Sequence, residues 1–119
     1  MRQASISILM GVLAICTMAE QSHKPEPQRT ETINVARGQE LFLENCAICH
    51  GVRGDGHGIR SEGLYPRPPD FTNAEWQVTH PQESVTNSIR EGVHGTAMPS
   101  WRILGEQRIR DLSAFVKSR

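Results

Sequence analysis

Apolar residues in this chain gather in a few short segments, separated by polar or Gly- and Pro-rich stretches. The first segment, Ala4 to Ala19, carries no charge. Beyond it the spacing is helical. Over residues 34–46, Ala36, Leu41, Phe42 and Cys46 fall near one face, which predicts a first helix. The stretch FTNAEWQ, residues 71–77, predicts a short helix capped by Thr72 or Asn73. Pro81 suits the first position of another, with Val85 and Ile89 at i, i+4 and Gly92 to end it. After Gly105, Ile109, Leu112, Phe115 and Val116 predict a last helix, and Lys117 and Arg119 place cations at its C-terminal dipole. No run alternates apolar and polar residues as a strand would. The expected fold class is all-α.

The leading apolar segment, preceded by Arg2, has the pattern of a secretory signal, and Thr17-Met18-Ala19 offers a small-residue cleavage site. It falls short of the roughly 20 residues that span a bilayer. Leu13-Ala14-Ile15-Cys16 resembles a lipoprotein box, although Ile15 replaces the small residue usual there. Cleavage after Ala19, lipidation of Cys16 and retention as an anchor are the three fates weighed. Residues 20–32 are polar with two prolines and read as a flexible linker. The expected organisation is therefore a signal or anchor over 1–19, a linker over 20–32 and one domain over 33–119. The protein is expected to be exported, in the periplasm, soluble or tethered by its N-terminus.

Composition adds one constraint. With 119 residues, 37% hydrophobic and 5% aromatic, the chain has little with which to fill a core, and domains this small often enlist a metal, disulfides or a cofactor. The 13 basic and 13 acidic residues are interspersed. There is no basic stripe or aromatic platform for nucleic acid.

The candidate chemistry lies at residues 45–51, NCAICHG. Three chemistries compete for two cysteines followed at once by a histidine. A thioredoxin-like thiol pair needs a strand leading into C-x-x-C, but the preceding ARGQELFLEN is helical in character. Structural zinc needs four ligands, usually two spaced pairs, and no second pair exists; recruiting His57 with His80 or His94 has no motivating spacing. A disulfide between Cys46 and Cys49 would close a tiny loop and add little stability. Haem attachment uses every residue: two thiols add across the two vinyl groups, and His50 reaches the iron.

Haem iron then takes a second axial partner or keeps an open site. Removing residues 1–19 takes away Met1, Met10 and Met18 and leaves Met98 as the one thioether, in the turn-rich stretch GTAMPSW. A lone methionine more often fills a core gap, but a loop flanked by Gly95 and Pro99 is an unusual place for one. His94 is the chief rival ligand, while His57 and His80 read as solvated loop histidines.

With these motifs in view, the chain resembles the class I cytochromes c over nearly the whole domain. The resemblance implies about four short helices wrapped round one covalently bound haem c, held by Cys46, Cys49, His50 and Met98. Gly38 and Phe42 match the glycine and aromatic of the family's first helix. The missing side chain at Gly38 would let the last helix cross closely, with Phe115 near Phe42. Between the motif and the short helix, GVRGDGHGIRSEGLYPRPPDF holds five of the ten glycines and three of the seven prolines, as a loop wrapping a flat macrocycle requires. In the family a proline carbonyl there accepts the second ring hydrogen of the proximal histidine; Pro66, Pro68 and Pro69 are the candidates. Arg60, Tyr65, Arg67, Trp76 and Trp101 are candidate partners of the haem propionates, against the alternative of solvated arginines and half-buried aromatic core.

What the resemblance implies about function is single-electron transfer. His/Met ligation saturates the iron and raises its potential. The chain shows no nucleophile with its base and no paired carboxylates, so it is expected to carry electrons between redox proteins, with no small-molecule substrate. It would act as a periplasmic carrier or, alternatively, as a membrane-tethered haem subunit of a larger respiratory oxidoreductase. A haem sensor or enzyme with Met98 displaced stands behind both.

Overall fold

A computed structural model describes residues 31–119. The expected signal segment, Cys16 and all but the last two residues of the expected linker lie outside the described residues. Among those described, every regular element is helical: α1 Val35–Asn45, α2 Ala47–His50, α3 Ala74–Thr79, α4 Gln82–Glu91, a 3-10 turn Arg102–Leu104 and α5 Glu106–Lys117. None of these helices is long and apolar enough to cross a membrane.

Helix boundaries follow from capping chemistry. Asn34 accepts from Arg37 N at 3.0 Å and starts α1; Asn73, not Thr72, accepts from Trp76 N at 2.9 Å and starts α3. The third helix therefore begins later than the apolar pattern of residues 71–77 implied, and Phe71 precedes it as a buried loop residue. Pro81 stands just outside α4 as its N-cap, with φ −61° and ψ 155°, one position earlier than its fixed φ suggested.

One core holds these elements together. Phe42 from α1, Cys46 at its C-cap, Val85 and Ile89 from α4, and Ile109, Leu112, Phe115 and Val116 from α5 are all buried. Ala36, expected on the inner face of α1, is exposed. The helix turns its N-terminal end outward, so only Gly38 and Phe42 in it are buried.

Helices α1 and α5 meet at Gly38. A Cβ built there would collide with the Asp111 carbonyl group, 2.6 Å from its carbon, and stand 3.0 Å from Phe115 Cβ. Phe42 and Phe115 pack beside this crossing with ring centroids 5.2 Å apart. Gly38→Ala is expected to destabilise the protein by about 2 kcal/mol, because overpacking outweighs the gain in helix propensity. Chemical denaturation should show a lowered midpoint with unchanged slope; an unaltered midpoint would mean that the helices part at little cost.

Asp111 secures the same crossing from within. Its side chain is wholly buried and accepts from Asn34 N at 2.8 Å, Arg37 Nε at 2.5 Å and Gln107 Nε2 at 3.1 Å. Burial pushes its carboxyl up, but these three donors together outweigh it and hold the group below its usual range. The α1 N-terminus is thereby fixed to α5.

Lys117 near the end of α5 reaches the last turn of α3. Its ammonium donates to the Gln77 carbonyl and, at 2.7 Å, to that of His80. A cation thus serves the orphan carbonyls at a helix C-terminus. Gln77 Nε2 completes the joint by donating to Phe71 O and Val116 O at 2.7 and 2.8 Å.

Candidate haem-binding site

The segment CAICH forms a single helical turn. Cys46 N donates to Phe42 O at 2.8 Å, closing α1, and His50 N donates to Cys46 O at 2.9 Å, so the chain turns once more as α2. At positions i, i+3 and i+4 of that turn, Cys46, Cys49 and His50 share a face. All three line one cleft.

The loop that follows is held by the carbonyls this turn leaves free. Gly56 N donates to His50 O at 2.8 Å, Gly58 N to Cys49 O at 3.1 Å and Arg60 N to Ile48 O at 2.8 Å. Phe71 N then donates to Gly54 O at 2.7 Å. This return of the chain lays Phe71 against His50, rings stacked 4.7 Å apart at 18°.

Met98 lines the same cleft from the α4–α5 connection. Its amide donates to Thr96 Oγ1 at 3.1 Å, and its carbonyl accepts from Val93 N at 3.1 Å. Gly92, at φ 74°, ends α4; a Cβ there would stand 2.8 Å from Met98 O, Pro99 C and Ser100 N. Its lack of a side chain lets the methionine loop fold back tightly on the helix. Of the rival histidines, His94 and His57 are exposed and outside the cleft lining.

The cleft measures about 380 Å³, within the range of ligand pockets. Its walls are mostly apolar, with Phe42, Leu64, Phe71, Val85, Ile89 and Leu112 among them. Its chemistry suits a haem with nitrogen and sulfur axial donors. Burial holds the His50 imidazole neutral by lowering its pKa to about 4, which keeps a lone pair available to a metal. His50 Nδ1 is buried without a hydrogen-bond partner. The Cys46 thiol is pushed up to about 12, first by burial and then by Cys49, so it is held as a protonated thiol. Both cysteines are free. Among the described residues no three His, Cys, Asp or Glu side chains gather as a metal cluster, as zinc would need.

Two expectations need correction, and the candidate propionate partners divide by position. Pro66, Pro68 and Pro69 line the cleft, but none of their carbonyls is bonded to His50 Nδ1. The ring is positioned instead by its stack on Phe71, which the loop presses against it. Tyr65, a candidate propionate partner, is 95% exposed and Arg60 is exposed, whereas Arg67, Trp76 and Trp101 line the cleft. Trp101 Nε1 is moreover buried without a partner. Finally, His80 is no solvated loop residue: it is half-buried, lines the cleft and stacks on Trp76 at 4.5 Å and 12°. The first signal missed was its place one step beyond the α3 terminus, four residues after Trp76.

Known proteins give this geometry a context. The chain is 33% identical over 85 residues to the "Cbb3-type cytochrome c oxidase subunit FixP" of Rhizobium meliloti (strain 1021), covering 71% of this chain and 27% of that protein. It is 31% identical over 99 residues to the "Cbb3-type cytochrome c oxidase subunit CcoP" of Rhodobacter capsulatus, covering 76% and 31%. The chain thus spans about a third or less of these curated relatives. Among solved structures, the "KustC0563 c-type cytochrome" superposes with a TM-score of 0.56 at 29% identity, covering 68% of this chain and 94% of that one. The "Kuenenia stuttgartiensis reducing HAO-like protein complex Kustc0457/Kustc0458" does so with a TM-score of 0.62 at 25% identity, covering 74% and 44%. The fold is that of a c-type cytochrome, and such a domain implies haem c. Residues 33–116 match the family model described as cytochrome C oxidase, cbb3-type, subunit III, and the chain belongs to that family.

Proposed function

We propose that residues 33–119 form a single-haem electron-transfer domain, with one haem c attached through Cys46 and Cys49 and ligated by His50 and Met98. The observation that carries this reading is the convergence of the CAICH turn and the Met98 loop on one apolar cleft. When bound, haem supplies a one-electron Fe(III)/Fe(II) couple whose potential is raised by methionine ligation.

The chain's own residues do the rest. His50, neutral and stacked on Phe71, presents its imidazole without needing to lose a proton first. Gly92 and Thr96 hold the Met98 loop in shape. Trp101 Nε1 is available as a donor to a propionate. The mostly apolar lining would limit solvent rearrangement around a bound haem, which favours rapid electron exchange.

Of the two settings, the haem-bearing subunit of a larger, membrane-bound respiratory oxidoreductase has the stronger support, since FixP and CcoP are named as oxidase subunits. Residues 1–19 would then supply the tether, through a retained segment or a lipid on Cys16. A freely diffusing periplasmic carrier is the second reading. It draws on the likeness to a c-type cytochrome that this chain covers almost completely.

An absorption spectrum of the exported protein, oxidised and reduced, tests the site. Expected are c-type bands that survive denaturation and acid–acetone extraction, and a reduced form unchanged by carbon monoxide. Extractable or absent haem would overturn the covalent assignment, and carbon monoxide binding at neutral pH would overturn six-coordination by Met98.

A further inference from the structure

Resting on the reading that Met98 ligates haem iron, we propose that Arg90 and Glu106 are positioning residues for Met98: their ion pair closes the stem of the loop that carries it and slows release of the thioether. The loop runs over residues 92–105, between the end of α4 and the start of α5. No residue from Glu91 to Arg108 is buried. Its apolar anchorage to the core comes from Trp101 and Leu104, both only partly buried and both beyond Met98. Segments with so few buried contacts open most readily.

Polar contacts supply what the core does not. At the tip of the loop, Thr96 Oγ1 accepts from Met98 N at 3.1 Å and donates to Val93 O at 2.7 Å. These bonds shape the tip but begin and end within the loop. At the stem, Arg90 Nε and Nη2 donate to Glu106 Oε1 and Oε2 at 2.8 and 2.7 Å, a two-pronged pair between residues 16 apart in the chain. Nη1 donates to Asn87 Oδ1 at 2.5 Å, which fixes the guanidinium against α4. The Arg90 carbonyl accepts from Ser100 Oγ at 2.7 Å, two residues beyond Met98. One residue of α4 thus grips both the returning limb of the loop and the first residue of α5.

Electrostatics favours the same closure. Arg90 lies in the last turn of α4 and Glu106 in the first turn of α5, each where the helix dipole stabilises its charge. Hydrogen bonding from Arg90 holds the Glu106 carboxyl below its usual range. A second pair, Arg102 with Glu91, crosses the same stem. The Arg102 side chain is 66% exposed, however, against 24% for Arg90. Ion pairs standing in water contribute little, so the Arg90–Glu106 pair carries the restraint.

The event that the pair restrains is simple. When the loop lifts away, the coordinate bond from sulfur to iron breaks, the sulfur keeps its electron pair and the iron keeps its oxidation state. A soft thioether suits Fe(II) better than the harder Fe(III). The restraint therefore matters most in the oxidised protein, where the methionine is the more easily displaced.

Stopped-flow displacement by imidazole tests this on the oxidised, haem-loaded protein. At saturating imidazole the rate is set by departure of the thioether, followed through loss of the weak red absorption band that a thioether gives on ferric haem. The limiting rate is expected to rise about threefold to tenfold in Arg90→Gln and in Glu106→Gln, and no further when the two are combined. Arg53→Gln, which breaks a pair outside the loop, should leave it unchanged. An unaltered rate in either variant, or effects that multiply in the double variant, overturns the proposal. A rise shared by Arg53→Gln would mark general loosening of the fold and overturns it equally. A parent that lacks the thioether band and exchanges ligands as fast as Met98→Ala would instead overturn the ligation reading on which the proposal rests. Should the variants fail to load haem, the unaltered protein decides: high ionic strength screens the pair and must raise the limiting rate, and a rate indifferent to salt refutes the restraint.

Discussion

Replacing Cys46 and Cys49 together by alanine is expected to give a protein with no covalent haem and with most of its helical circular dichroism lost. The expectation follows from the composition of the core. Phe42, Cys46, Phe71, Val85, Ile89, Leu112 and Val116 count both among its buried apolar residues and among the walls of the cleft. Their inward faces therefore have no protein partner. At ~24 cal/mol per Å³ of unfilled space, a cleft of about 380 Å³ represents at most about 9 kcal/mol, since it opens to solvent and part of its lining stays hydrated. That upper figure is comparable with the whole stability of a small domain, ~5–15 kcal/mol. The α1–α5 crossing, with Gly38, Asp111 and Phe115, is the part that could persist. A haem-free double variant with full helicity and a cooperative thermal transition would show that the cleft is structurally independent of its occupant. The single Cys49→Ala variant separates attachment from folding: with one thioether remaining it should keep haem and most of its helicity.

Met98→Ala should lower the reduction potential and let the reduced protein bind carbon monoxide. A methionine thioether on the iron would stabilise Fe(II) relative to Fe(III), and its removal would leave water or an open position. A drop on the order of 0.1–0.3 V is expected, a fraction of the ~0.8 V over which axial ligands tune haem. Stability should fall less than in the cysteine variant, because the methionine loop is held by its backbone. Val93 N bonds to Met98 O, Trp101 N to Ile89 O and Ser100 Oγ to Arg90 O, and alanine removes none of these. An unchanged potential with no carbon monoxide binding would mean that another side chain ligates the iron. His94 would be tested next, although its exposure requires the loop to refold for it to reach the cleft.

The two predictions differ in how far local sequence anticipates them. The cysteine–histidine turn could be read directly, because C-x-x-C-H has its meaning within one helical turn: i, i+3 and i+4 project together whatever the rest of the chain does. Gly92 and Met98 illustrate the intermediate case. The glycine was legible as a helix stop, but its close approach to the backbone of Met98, Pro99 and Ser100 depends on how the loop returns. His80 and Phe71 were illegible, since both owe their positions to contacts made by residues distant in the chain. Phe71 reaches His50 because its amide bonds to Gly54 O. His80 reaches the cleft because α3 ends against Lys117, 37 residues later.

By itself the sequence determined the helical class of the described residues, the ends of their helices to within a few residues, the C-x-x-C-H motif and the candidacy of Met98. Each is governed by interactions spanning a turn or two of chain: capping side chains, apolar periodicity, and the fixed projection of neighbouring residues. The tertiary structure alone decided which side chains surround the cleft and in what state. It placed Trp101 Nε1 in a buried position without a partner, kept the His50 imidazole neutral, gave Asp111 three donors and brought His80 inside while leaving Tyr65 in solvent. Burial and hydrogen-bond partnership depend on segments far apart in sequence, and no local pattern encodes the distance between them.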